Sequence, residues 1–108
     1  MTLPELINYF RTDCSYDNFC KTQNLDCDAE VIEIYAQKPF GLNSKLEFFT
    51  IGETAGKIQY SYNGSEFYNL FDFIYFLNVI KEAEMSQNES ITDIDLALRL
   101  LDYAESDT

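Results

Sequence analysis

Histidine is absent from this chain, and basic residues are scarce. The 108 residues include no His and only seven Lys and Arg together. Without an imidazole, the sequence lacks the side chain that most often moves protons in catalysis, and a nucleophilic cysteine would have no such neighbour to activate it. Direct binding to nucleic acid is also disfavoured, because phosphate contacts need clustered Lys and Arg. We therefore expect a binding protein and not an enzyme.

Cysteines at metal-binding spacing are missing too. Cys14, Cys20 and Cys27 form no Cys-x-x-Cys pair, and no His is present to act as a fourth zinc ligand. An odd number of cysteines near one end suits reduced, partly buried thiols better than a set of disulfides. Gly52 and Gly56 stand without the glycine spacing of a phosphate-binding loop. We expect no metal and no cofactor.

Long apolar runs are absent. The longest, from Phe67 to Ile80, contains polar residues and is shorter than the ~20 residues that a membrane-spanning helix needs. The first residues, Met1 to Glu5, are acidic where a secretory signal would be basic and then apolar. These features predict a cytoplasmic protein that does not associate with a membrane.

The chain nevertheless has ample material for a folded core. Hydrophobic residues make up 46% and aromatic residues 16% of it, and the length fits one domain. Thr2 and Glu5 have the spacing of a capping box, and apolar residues at helical spacing follow, which predicts an N-terminal helix over about 3–11. The sequence does not decide whether a second short helix, capped by Ser15, forms within 15–24.

Two segments have the composition of β-strands. Residues 45–50 and 57–62 are rich in aromatic and β-branched side chains, and the residues between them include two glycines. This pattern predicts an antiparallel hairpin. Residues 29–38 fit a helix or a strand, and we favour a third strand over about 30–37 because the segment is β-branched and stops at Pro39.

The second half of the chain predicts two further helices. Apolar residues nearly encircle a helix drawn over about 66–85, so this helix should be central, and a last helix over about 93–104 opens with acidic residues that suit its N-terminus. The predicted fold is a single α+β domain over 1–108. In it, a small antiparallel sheet packs on the central apolar helix.

Negative charge is the most unusual property of the sequence. Nineteen Asp and Glu against seven Lys and Arg give a net charge of −12. Repulsion among these charges destabilises the compact state, so we expect a partner that is attracted by the negative field. Acidic residues outnumber basic ones seven to two over residues 1–36 and eight to two over 81–108, but only four to three between these segments. If the two acidic segments lie side by side, their potentials combine into one surface that attracts a basic partner.

Acidic and tyrosine side chains are therefore the candidate partner-binding residues. Tyrosines are common anchors at protein interfaces, whereas the paired carboxylates lack the glycine and glutamate pattern of a calcium-binding loop. The candidates are Asp26, Asp28, Glu30, Glu33, Glu82, Glu84, Glu89, Asp93, Asp95, Tyr16, Tyr62 and Tyr68.

In size, acidity and aromatic content, the whole chain resembles bacterial immunity proteins, which bind and silence a cognate toxin. The resemblance involves no motif. It implies that the chain inhibits a basic toxin, often a nuclease, by covering its active site. An acidic mimic of nucleic acid, of the anti-restriction or anti-CRISPR type, and a non-catalytic adaptor subunit are the alternatives. The oligomeric state is left open.

Overall fold

The computed structural model describes residues 1–12, 15–26, 28, 31–85 and 91–106. They form an α+β domain, which confirms the predicted fold class. The elements, in chain order, are α1 (Leu3–Arg11), α2 (Tyr16–Thr22), β1 (Ile32–Ala36), β2 (Leu46–Thr50), α3 (Ile51–Thr54), β3 (Gln59–Tyr62), β4 (Ser65–Asp72), α4 (Phe73–Met85) and α5 (Asp93–Ser106). None of the helices in this part of the chain is long and apolar enough to cross a membrane.

Local capping signals set the first two helices, of which the sequence predicts the first. At the start of α1, the Thr2 amide donates to Glu5 Oε1 at 2.9 Å, and the Glu5 amide donates to the Thr2 hydroxyl in return. At the start of α2, the Ser15 hydroxyl accepts from the Asn18 amide at 3.1 Å. A short helix within 15–24, which the sequence leaves open, is present, and its Cys20 is a buried free thiol.

The four strands form an antiparallel sheet in the order β2-β1-β4-β3. The predicted strands at 45–50, 57–62 and 30–37 are all present, but the pairing of the first two as a hairpin is wrong. They lie at opposite edges of the sheet, with β1 and β4 between them. Residues 51–56, which look like a hairpin turn in sequence, instead form α3 and a turn that cross from one edge to the other.

The predicted helix over 66–85 is wrong over its first seven residues, because residues 65–72 form β4. Asn63 and Gly64 form a two-residue turn with φ angles of 51° and 78°, the geometry that joins tightly paired strands. The turn therefore pairs β4 with β3. Helix α4 starts only at Phe73, where Asp72 Oδ1 accepts from the Tyr75 amide at 2.7 Å. A continuous apolar run fits a buried strand as well as a buried helix, and the turn decides between them.

Helices cover one face of the sheet. The side chains of Ile32, Ile34 and Ala36 on this face join the main core, in which α1 packs against α4 and α5 while α5 also packs on β4. The C-terminal helix, predicted over 93–104, is confirmed and extends to Ser106. Helix α4 is less enclosed than its composition suggests, because Ile74 is 57% exposed.

The other face of the sheet is concave. The ring of Phe49 on β2 lies 4.9 Å from that of Tyr60 and 5.0 Å from that of Tyr62, although both tyrosines are on β3 at the opposite edge. Such contacts require the sheet to curl until its two edge strands approach each other. Phe49, Tyr35 and Phe67 are buried inside this curl and form a second core with Tyr60.

One end of the concave face is closed by α3 and the turn that follows it. The Thr54 side chain is 1% exposed and donates to Glu33 Oε1 at 3.3 Å. The Tyr35 hydroxyl donates to the carbonyl oxygen of Lys57. These two hydrogen bonds tie the crossing segment to β1 in the middle of the sheet. At the opposite end, near Gln37 and Tyr62, the concave face opens into a cleft.

The hairpin of β3 and β4 holds a carboxylate whose titration is testable. Glu66 accepts from the Ser61 hydroxyl and from Gln59 Nε2, both at 2.6 Å, and these hydrogen bonds lower the pKa of the Glu66 carboxyl. Ionised Glu66 therefore stabilises the folded state above the ordinary carboxyl pKa, and this contribution is lost as the pH falls through the lowered value.

We expect Ser61→Ala to raise the pKa of Glu66 towards its ordinary value, because the hydrogen bond that contributes most to lowering this pKa is removed. The measurement is an NMR titration of the Glu66 side-chain carboxyl carbon. Ser61→Thr keeps a hydroxyl and should retain the low pKa. An unchanged midpoint in Ser61→Ala would contradict the hydrogen bond.

Candidate partner-binding surfaces

Four of the predicted acidic residues belong to the last turn of α4 or the first turn of α5, and we call this group the acidic corner: Glu82, Glu84, Asp93 and Asp95. Arg11 of α1 reaches into it. Its Nε lies 3.0 Å from Glu84 Oε1 and its Nη1 lies 3.0 Å from Asp93 Oδ1. The same Nη1 donates to the carbonyl oxygen of Ile91 at 3.0 Å. One guanidinium thus joins three helices.

The pairing with Arg11 changes the role of two predicted residues. The hydrogen bond that the Arg11 guanidinium donates to Glu84, and then the one it donates to Asp93, raise the pKa of the guanidinium. Glu84 and Asp93 are consequently occupied by an internal ion pair. Glu82 and Asp95 are exposed and are therefore accessible to solvent or to a partner.

We expect Arg11→Met to lower the free energy of unfolding by about 1–2 kcal/mol, because it removes charge-assisted hydrogen bonds at a site that is still partly open to solvent. Urea denaturation provides the measurement. The matched control is Arg99→Met on the exposed surface of α5, which should stay within about 0.5 kcal/mol of the parent. Equal losses in both variants would contradict a special role for Arg11.

The predicted acidic residues from the first segment do not all share this corner. Glu33 lies on the concave face, where its carboxylate accepts from Thr54 Oγ1 and from Asn69 Nδ2. Asp26 and Asp28 are exposed after α2, and Asp26 Oδ1 accepts from the Asp28 amide at 3.0 Å. Helices α1 and α5 pack side by side, so parts of the first and last segments of the chain are neighbours. Glu33, however, belongs to an internal hydrogen-bond network on the other face of the sheet and does not add to a shared acidic surface. Glu30 and Glu89 lie outside the described residues.

The three predicted tyrosines differ in exposure. Tyr16 is half-buried, with its ring 5.1 Å from that of Phe73. Tyr68 is half-buried beneath Lys38, whose Nζ lies 4.6 Å from the ring centre. Tyr62 is 37% exposed, so among the three it offers the largest free surface.

Tyr62 borders a cleft at the open end of the concave face, which we call the sheet cleft. Its volume is about 240 Å³, and its lining residues are Gln37, Lys45, Glu47, Tyr62, Asn63, Ser65 and Phe67. The Glu47 side chain is 26% exposed, and its Oε1 lies 3.6 Å from Nζ of Lys45, which is 75% exposed. Two aromatic rings, one carboxylate and several neutral polar groups therefore surround the same space.

Sequence reasoning missed Glu47, because residues 37–80 are almost neutral overall. Alternation along β2 was the available signal, since it places Lys45, Glu47 and Phe49 on one face. That face becomes a cleft only when the sheet curls, and curling depends on contacts between strands that are distant in sequence.

The arrangement suits recognition of a cation. A carboxylate beside aromatic rings attracts a positive group through charge and through the ring faces. Within residues 1–12, 15–26, 28, 31–85 and 91–106, no cluster of three or more acidic, cysteine or histidine side chains is placed to hold a metal ion.

Comparison of the chain with models of known protein families, with curated proteins and with solved structures finds no significant match.

Proposed function

We propose that this protein binds a basic protein and inhibits it by covering its functional surface, in the manner of an immunity protein. The observation that carries the proposal is the sheet cleft, which is lined by both the exposed side chain of Tyr62 and the carboxylate-bearing residue Glu47. Interface anchors are commonly aromatic and seated in partly enclosed pockets, and a neighbouring carboxylate selects for a cation.

The net charge of −12 supports the same proposal at longer range. Surface carboxylates such as Glu82 and Asp95 need not touch the partner in order to attract it, because the field of the whole molecule accelerates encounter. Close contact at the sheet cleft then determines how long the complex lasts. In this division of roles, association depends on salt, whereas dissociation depends on the aromatic and carboxylate contacts.

The distribution of charge on α5 favours a protein partner over mimicry of nucleic acid. Asp95, Arg99 and Asp102 are all exposed and follow one another at helical spacing. A cation therefore interrupts the row of carboxylates that a phosphate mimic would need.

The test is capture from the source cell on immobilised protein at low and at high salt, followed by an activity assay of what is captured. We expect a basic protein that is retained at low salt and released at high salt. Its own activity should fall in proportion to the inhibitor added, up to one equivalent. Retention of only acidic or neutral proteins would contradict the proposal, as would a captured basic protein that keeps its full activity when saturated.

A further inference from the structure

The sheet cleft has the chemistry and the size for one side chain of a partner. Its volume of about 240 Å³ lies below the ~300–1,000 Å³ of pockets that enclose whole small molecules. Tyr62 supplies most of the aromatic surface, because Phe67 is only 7% exposed, and Glu47 supplies a carboxylate. Gln37, Asn63 and Ser65 add neutral side-chain oxygens that accept hydrogen bonds.

Within the cleft, the ion pair of Glu47 is weak. The separation of 3.6 Å from Lys45 Nζ exceeds the range of a normal hydrogen bond, and the Lys45 side chain is 75% exposed. An ion pair that is this open to water contributes little stability, because solvent and salt screen it. Lys45 therefore holds the carboxylate loosely, and an incoming cation can displace it.

We propose that the sheet cleft binds an arginine side chain of the basic partner, with its guanidinium on the Glu47 carboxylate and its plane against the exposed ring of Tyr62. This inference rests on the proposed function and specifies the contact. A guanidinium is planar, weakly hydrated and able to donate two parallel hydrogen bonds to one carboxylate, and it stacks on aromatic rings. An ammonium is more strongly hydrated and makes a single-point contact, so lysine fits the same groups less well.

The experiment titrates Nα-acetyl-arginine amide into the full chain and follows backbone amide shifts by NMR. We expect saturable shifts centred on Glu47, Tyr62, Ser65 and Phe67, with a dissociation constant on the order of millimolar for so small a probe. The lysine analogue should bind at least about fivefold more weakly. The citrulline analogue, which has nearly the same shape without the charge, should show no saturable shift.

Two variants and one control locate the binding. Glu47→Gln should weaken the arginine probe at least about tenfold, and Lys45→Met should strengthen it by removing the internal competitor. Glu53→Gln changes an exposed carboxylate outside the cleft and should leave binding unchanged. All three side chains are at least partly exposed, and the dispersion of the amide spectrum verifies that each variant is folded.

Failure of this inference is distinguishable from failure of the proposed function. Equal shifts with the arginine and lysine probes, shifts centred on the acidic corner, or probe binding that survives Glu47→Gln would each overturn the arginine site. If a basic partner is captured and inhibited but binds Glu47→Gln as tightly as the parent, the cleft is not its contact and the proposed function stands. If the probe binds as expected and no basic partner is captured, the cleft stands and the proposed function falls.

Discussion

Phe76→Ala is expected to lower the free energy of unfolding by about 3–5 kcal/mol, the range found when a large aromatic side chain is removed from a core. Phe76 is 0% exposed on α4. Its ring lies 5.6 Å from Phe73, 5.9 Å from Phe10 and 6.3 Å from Phe71, so the cavity would open among rings contributed by two helices and a strand. These neighbours are held by their own contacts and can fill the space only in part. Urea denaturation monitored by circular dichroism gives the measurement.

Ile74→Ala is the matched control, because Ile74 lies on the same helix but is 57% exposed. Its loss should stay below about 1 kcal/mol, as for most surface substitutions. The apolar pattern of the sequence alone assigns Ile74 to the core and predicts a loss of about 2–5 kcal/mol for its truncation. Similar losses for Ile74 and Phe76 would therefore contradict the orientation of α4 and favour the simpler interpretation of the pattern.

Tyr62→Ala is expected to weaken binding to the basic partner by about thirtyfold or more, the effect of removing an aromatic anchor at the centre of an interface. The loss should appear mainly as faster dissociation, since the long-range field of the chain is unchanged. Surface plasmon resonance with the captured partner separates the two rates.

The control for Tyr62 is Tyr103→Ala on α5. The two tyrosines are equally accessible, at 37% and 39%, but Tyr103 lies on the helical side, with its ring stacked 4.3 Å from that of Tyr75. We expect its removal to change affinity less than about threefold. A larger loss from Tyr103→Ala than from Tyr62→Ala would move the interface to the helices and refute the sheet cleft as the contact surface.

Local features of the fold could be predicted from the sequence, because their causes lie within a few residues. The Thr2–Glu5 capping box and the Ser15 cap fix where α1 and α2 begin, and the structure agrees with both. The strands at 45–50 and 57–62 are likewise visible in composition. The pairing of these two strands is not visible in the sequence. Two strands joined by a short glycine-containing segment have the same composition whether they are neighbours or lie at opposite edges of a curled sheet.

The candidate surfaces were predictable in part. The sequence identifies Tyr62 and the acidic residues near 82–95, but it cannot show that Arg11 neutralises two of them, since Arg11 is more than seventy residues away along the chain. Glu47 was missed because its importance comes from the curl that brings β2 and β3 together. Prediction from sequence thus fails where distant segments determine the environment of a side chain.

The curl of the sheet also bears on self-association. Edge strands that are long and flat act as templates on which other chains add strands, and proteins limit this by keeping edges short or bending them. Here the edge strands have five and four residues and turn towards each other across the concave face. Together with mutual repulsion between like-charged copies, this geometry opposes growth into extended sheets.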